Sequence, residues 1–470
     1  MLFRKERISV SPEITEKVRK DYNQNRPEAA RTTACFAPMK NLYFGHHGRI
    51  SSCCYNRHYV LGTYPEHSIR EIWFGKRAEK LRNYLEHYNF SLGCGDCKQV
   101  LVAGNYDGLK STMYDQHRLN KNLYPSVFEF ELNNACNLEC VMCSGDFSSL
   151  IRKNREKRNE LLTPYDDDFI RQLDEFIPHL VEVKFYGGEP FLIELYYDIW
   201  KKIIAVNPSV RISVQTNGTI LNNRVKEILS KTNFHINLSL DSIQKENYEA
   251  IRVNAKFDRV MEHLQYFHSY CKDKDTFFGI SACMMTTNWQ EAPDFIRLCN
   301  SLQVPVYFHP ITNPAKYSLK QLDELKLIEI CSQLEAELVN IPQVNAIEKK
   351  NKKHYKDFLS QLHDWKKNAA SSQKDTSDIK NMSDFVEHVA TKTKSRTDLP
   401  PSEMENRVPA FEEKLTLLQQ ALPQNFDLLP YFMHLLNKEG VSLNTFVEGF
   451  EAKNLDEIKE HISMFYKLDL

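Results

Sequence analysis

Between residues 125 and 315 the chain alternates six apolar runs of strand length with amphipathic stretches of helical length. The strand candidates are Val127–Leu132, Val181–Tyr186, Val210–Thr216, His235–Asp241, Phe277–Met284 and Val304–His309. The helical stretches include Ile193–Val206, Asp258–Tyr270 and Gln290–Leu302. Such alternation predicts parallel strands joined by crossover helices. Six units make an α/β fold of the partial (β/α)6, TIM-like kind rather than a closed eight-stranded barrel.

Just past the first of these strands, in ELNNACNLECVMCSGDF, lie Cys136, Cys140 and Cys143. Barrel enzymes keep their chemistry at the C-terminal ends of strands. Three thiolates on a short loop can hold three irons of a 4Fe–4S cube and leave the fourth open to a ligand, whereas a structural zinc site wants four closed ligands. Past the second strand comes Phe185-Tyr186-Gly187-Gly188-Glu189-Pro190. Glycines allow close backbone approach to a ligand, and a carboxylate suits an ammonium group. Taken alone, this run could be an ordinary turn before a helix.

The cysteine triad and the Gly-Gly-Glu-Pro run one strand later resemble the radical SAM superfamily, with Met142 in the family's aromatic or apolar position before the last cysteine. The resemblance covers the barrel segment. It implies that S-adenosylmethionine (SAM) chelates the open iron and that an electron from the cluster cleaves it to methionine and a hydrogen-abstracting 5′-deoxyadenosyl radical. It also implies that Gly187, Gly188, Glu189 and Pro190 receive the SAM amino group. Asn217 in Gln215-Thr216-Asn217-Gly218, Ser239 in Leu238-Ser239-Leu240-Asp241-Ser242, and Arg252 fall where related enzymes contact SAM, and Asn288 is a weaker match. Turn chemistry explains Asn217-Gly218 equally well, and an exposed helix arginine is the ordinary reading of Arg252. A reductant such as flavodoxin or ferredoxin is an implied partner.

Eight of the twelve cysteines lie in the first 143 residues, and the remaining four, Cys271, Cys283, Cys299 and Cys331, read as small buried hydrophobes. Upstream of the barrel the order is Cys35, Gly48-x4-Cys53-Cys54, Leu61-Gly62, Ile72-Trp73, then Cys94-x2-Cys97. This order resembles the SPASM/twitch auxiliary-cluster domain in its shorter form, placed before the barrel instead of after it. The resemblance implies a second, auxiliary 4Fe–4S cluster on Cys35, Cys53, Cys94 and Cys97, with Cys54 as the alternative to Cys53. Four cysteines also suit a structural zinc. His46, His47 and Asp107 are polar residues in or beside this region, with a surface role as the default.

The chain has 470 residues, enough for two or three domains. We expect an auxiliary-cluster domain over 1–110, the barrel over 120–318 and a mostly helical extension over 319–470. A polar linker near 368–405 is expected, with breaks at Ser371-Ser372-Gln373-Lys374 and at Leu399-Pro400-Pro401. After Pro409 apolar periodicity returns at Leu415, Leu417, Leu418 and Leu422. A net charge of -1 makes no electrostatic case for nucleic acid or an anionic membrane. No signal-peptide pattern and no bilayer-length apolar run is found, so a cytoplasmic enzyme is expected. The leading functional expectation is radical chemistry on a peptide or protein substrate, as in SPASM and twitch relatives. The alternatives are a small-molecule substrate, or a non-catalytic iron–sulfur or zinc scaffold.

Overall fold

The computed structural model describes residues 8–24, 26–117, 119–120, 122–376, 381–394, 401–423, 426–436, 450 and 454–466. Contacts divide the chain into two compact units, one of Met1–His309 with Ile341–Tyr355 and the other of Pro310–Asn340 with Lys356–Leu470.

The first unit is built on a nine-stranded sheet of order β3-β2-β1-β4-β5-β6-β7-β8-β9. Its strands are β1 (Asn41–Phe44), β2 (Arg49–Ser51), β3 (Gly62–Thr63), β4 (Val127–Phe130), β5 (Glu182–Phe185), β6 (Arg211–Thr216), β7 (Phe234–Ser239), β8 (Phe278–Met284) and β9 (Val306–Pro310). All six strands expected from the alternation form, and β4 to β8 pair in parallel. Leu42-Tyr43-Phe44, within the segment 1–110 expected as the auxiliary-cluster domain, forms β1, which runs parallel to β4 with Leu42 opposite Phe128. The N-terminal segment thus contributes three strands to the barrel's own sheet.

One face of the sheet is apolar. Phe130 packs on Phe169 and Phe185 on Trp200, and Trp200 meets Phe234, so the helices Asp167–Gln172 and Glu194–Val206 cover this side. Strand periodicity then turns the alternate residues to the inner face. Register places Tyr43, Glu129, Lys184 and Ser213 in one row across that face, with Gln215 and Asn237 in the next. The inner face is therefore polar while the outer one is oil-like.

Local chemistry sets the N-terminal connections. Ser68 caps the helix Ile69–Trp73 through a reciprocal bond with Glu71, and Ile69, Ile72 and Trp73 are its buried side.

The second unit is helical. Its core gathers Phe385, Phe411, Leu415, Leu418, Phe432 and Ile462, with Phe385 stacked on Phe432 at 5.4 Å. Two expectations change here. The break at Ser371–Lys374 falls inside the helix Ala346–Thr376, and Pro409 lies within the helix Pro401–Gln420 rather than ahead of it. Leu415, Leu418 and Leu422 are buried, whereas Leu417 is largely exposed. Residues 395–400, with the expected Leu399-Pro400 break, lie outside the described residues, as do 377–380. No helix among the described residues is long and apolar enough to cross a membrane.

Candidate active site

The triad loop leaves the C-terminal end of β4 and is tied down on several sides. Glu139 N donates to Val253 O and Val141 N to Ile251 O, so the loop pairs with the backbone on either side of Arg252. Arg155 donates to the carbonyls of Cys140 and Cys143 at 2.9 and 3.2 Å. Cys136 N donates to Ser149 Oγ. Burial pushes the thiols of Cys136, Cys140 and Cys143 up to about 11, and the Arg252 guanidinium opposes the rise at all three. Protonated thiols must release protons on binding iron, so metal affinity increases with pH.

The Gly-Gly-Glu-Pro turn leans directly on this loop. Gly187 and Gly188 have φ of +80° and +48°, and a Cβ on Gly188 would stand 2.2 Å from Ala135 O. Glu189 N donates to that same carbonyl. Glu189 itself is 0% exposed. Its carboxylate accepts from Thr216 Oγ1 and Asn217 N, both at 2.7 Å, and from Phe191 N at 3.2 Å. It therefore fastens the turn after β6 to the turn after β5. Pro190 opens the short helical turn that Glu189 caps. Asn217 then reaches toward Cys136 Sγ at 3.9 Å and bonds Asn137 at 3.2 Å.

Burial raises Glu189 from the ordinary carboxylate range to about 7. The folded state then binds the proton more tightly than the unfolded chain does. Its contribution is most favourable below pH 4.5 and is lost as pH rises through 7. In metal-free protein this loss should amount to about 3 kcal/mol. Urea titrations at pH 5 and 7.5 should show the slope in wild type and lose it in Glu189→Gln. An equal slope in both proteins would assign the proton elsewhere.

Arg252, 5% exposed, is not the solvated helix arginine of the ordinary reading. Its guanidinium forms an ion pair with the fully buried Asp241 at 2.7 Å, and its Nε has no hydrogen-bond partner among the described residues. Burial works against its charge, but Asp241, Cys140, Tyr248 and Cys283 together outweigh this and keep it protonated. Ser239 Oγ accepts from Gln215 at 2.6 Å on the inner face. Asn288 is committed to structure, donating to Asp241 O and Cys283 O and accepting from Met285 N.

Sequence reasoning passed over Asp241, although it ends the fourth expected strand, where ligand-facing groups gather. Cys271, Cys299 and Cys331 are buried as expected, but Cys283 is only partly so and lies within electrostatic reach of Asp241, Cys140 and Cys143. His46 is half-buried beside Phe147, and its Nε2 has no hydrogen-bond partner among the described residues, whereas His47 is exposed. The side chain of Asp107 lies outside the described residues.

Cys35, Cys53, Cys94 and Cys97 line one cavity, together with Tyr55, Lys110 and Tyr114. Cys54 does not line it; burial and then Glu129 push its thiol up, as they do at Cys53. Among the described residues no three His, Cys, Asp or Glu side chains converge on a single-ion site. Thiols spaced around a cavity suit a polynuclear cluster better than one zinc, whose ligands must all lie about 2.3 Å from one point. Cys53→Ala should lose the iron of this site and Cys54→Ala should retain it. Iron-to-protein ratios after anaerobic reconstitution read the difference, and the reverse pattern would exchange the two cysteines.

Comparison with known proteins agrees with this architecture. Residues 130–299 match the family profile of the radical SAM superfamily, and residues 35–98 match that of an iron–sulfur cluster-binding domain, SPASM. The chain therefore carries a radical SAM domain, with a SPASM iron–sulfur cluster-binding domain ahead of it. These domains imply a 4Fe–4S cluster, an auxiliary cluster and SAM as cofactors, and the two thiol sets fit them. Similar curated proteins are the GTP 3',8-cyclases of Clostridium perfringens and Synechococcus elongatus. Each is 27% identical over 180 residues, covering 38% of this chain and 52% of the relative. The chain thus spans about half the length of these relatives. Among solved structures, SuiB of Streptococcus suis bound to its precursor peptide SuiA has a TM-score of 0.34 at 16% identity, covering 52% of each chain. AdoMet-bound anSMEcpe has a TM-score of 0.36 at 18% identity, covering 50% of this chain and 62% of the other.

Proposed function

We propose that the protein abstracts hydrogen from a peptide or protein substrate held against the inner face of the barrel. In this reading Cys136, Cys140 and Cys143 hold the SAM-binding cluster, and Cys35, Cys53, Cys94 and Cys97 hold the auxiliary one. With SAM bound and an external one-electron donor, the first cluster supplies the hydrogen-abstracting chemistry. The chain's own residues position and shield it. Gly187, Gly188, Glu189 and Pro190 shape the wall beside the triad loop, and Asn217 and Ser239 present polar groups from β6 and β7. Arg252 offers its unpartnered Nε to an anionic group such as the SAM carboxylate.

The observation that carries the substrate class is the charge pairing of the inner face. Lys184 is paired with Glu129 and Arg57 with Glu131. A nucleoside triphosphate needs uncommitted cations, whereas here carboxylates offset the cations on the β4 and β5 side. Neutral hydrogen-bonding groups follow across the sheet, with Asn237 donating to both Gln215 and Ser281 at 2.8 Å. Such a surface suits amide groups better than phosphates.

The curated relatives named GTP 3',8-cyclase give the second reading, a small-molecule substrate. Reconstituted enzyme with SAM and dithionite, offered deuterated tryptic peptides of the host proteome or deuterated GTP, separates the two. Deuterium in 5′-deoxyadenosine from the peptides alone supports the proposal. Deuterium from GTP alone would replace it.

A further inference from the structure

Glu129 stands at the middle of β4, on the inner face, and is 1% exposed. Its Oε1 accepts from Tyr114 OH at 3.2 Å and from Lys184 Nζ at 3.5 Å, while its Oε2 has no hydrogen-bond partner among the described residues. Neighbouring carboxylates are differently placed. Glu131 is bound to Tyr43 and Arg57, and Glu182 to Ser213 and His117. Tyr114 is also part of the wall of the cavity that the four N-terminal thiols line. One hydrogen-bonded chain, Lys184 to Glu129 to Tyr114, therefore runs from the barrel interior to that cavity.

We propose that Glu129 is a positioning residue that links the barrel interior to the N-terminal thiol site and sets, through its charge, the reduction potential of the cluster held there. The inference rests on the auxiliary-cluster reading above. A carboxylate in a low-dielectric interior opposes the addition of an electron nearby, and cluster potentials follow net charge and hydrogen bonding. Lys184 acts in the opposite sense and moderates the effect.

The test is an EPR-monitored redox titration of anaerobically reconstituted full-length protein. Glu129→Gln should move the potential of the N-terminal cluster in the positive direction, and Lys184→Gln should move it in the negative direction. Glu129→Asp should stay near wild type, and the cluster on Cys136, Cys140 and Cys143 should keep its potential in all three. Opposite shifts at unchanged iron content cannot come from general loosening. Coincident N-terminal potentials in wild type and Glu129→Gln, or shifts of one sign in both charge variants, would overturn the inference. Cys97→Ala is measured alongside. If it retains all wild-type iron, the cluster reading fails first. If it loses the N-terminal signal while Glu129→Gln leaves that signal unmoved, only the present inference fails.

Discussion

Cys140→Ala protein, reconstituted anaerobically, should hold about half the iron of wild type and form 5′-deoxyadenosine no faster than a control without enzyme. On the proposed assignment the half that remains would belong to the cavity lined by Cys35, Cys53, Cys94 and Cys97, which includes no residue of the triad loop. The thiol removed lies at the buried centre of that loop, and two cysteines cannot replace the three attachments a site-differentiated cube requires. Iron quantitation and chromatography of the SAM products check both halves of the expectation. Undiminished iron would show that the loop holds no cluster, and undiminished cleavage would show that SAM is activated elsewhere.

Gly188→Ala should destabilise the barrel unit by about 3 kcal/mol or more. The position has φ +48°, where a side chain is strained, and its new Cβ would stand 2.2 Å from the carbonyl oxygen of Ala135. That oxygen cannot retreat freely, because it accepts from Glu189 N. The clash would separate the turn after β5 from the triad loop, so iron retention should fall together with stability. Gly95→Ala is the contrasting variant, since nothing lies within 4 Å of its added carbon. Urea unfolding of both proteins measures the difference, and equal midpoints would mean that the two loops do not depend on this contact.

The strands and the triad were legible because each is a local pattern. Hydrophobic periodicity marked all six expected strands, and the termini moved by only a residue or two. The cysteine spacings and the Gly-Gly-Glu-Pro run needed no knowledge of neighbours. The place of Leu42-Tyr43-Phe44 was not legible in this way. A run of three apolar residues does not say which strand it will pair with, and its partner β4 begins more than eighty residues downstream. The choice between Cys53 and Cys54 was equally closed, since adjacent residues in an irregular turn have no period to orient them. The structure places Cys53 on the cavity wall and leaves Cys54 off it.

Glu189 shows the same division within one residue. Its place beside a ligand-sized turn could be read from the motif, but the use of its carboxylate could not. That carboxylate is bound to Thr216 and Asn217, which belong to a different strand-end turn. Arg252 is parallel, since its partner Asp241 is fixed only when β7 and the helix after it are packed together.

By itself, then, the sequence determined the element types, the parallel order of the barrel strands and which thiols could act as ligands, because these depend on residue type and spacing along the chain. Tertiary structure alone decided that the N-terminal segment extends the same sheet, which thiols share a cavity, and that Glu129 stands between that cavity and the barrel interior. These depend on distances between residues far apart in the chain, and such distances exist only after long-range burial has brought the strands together.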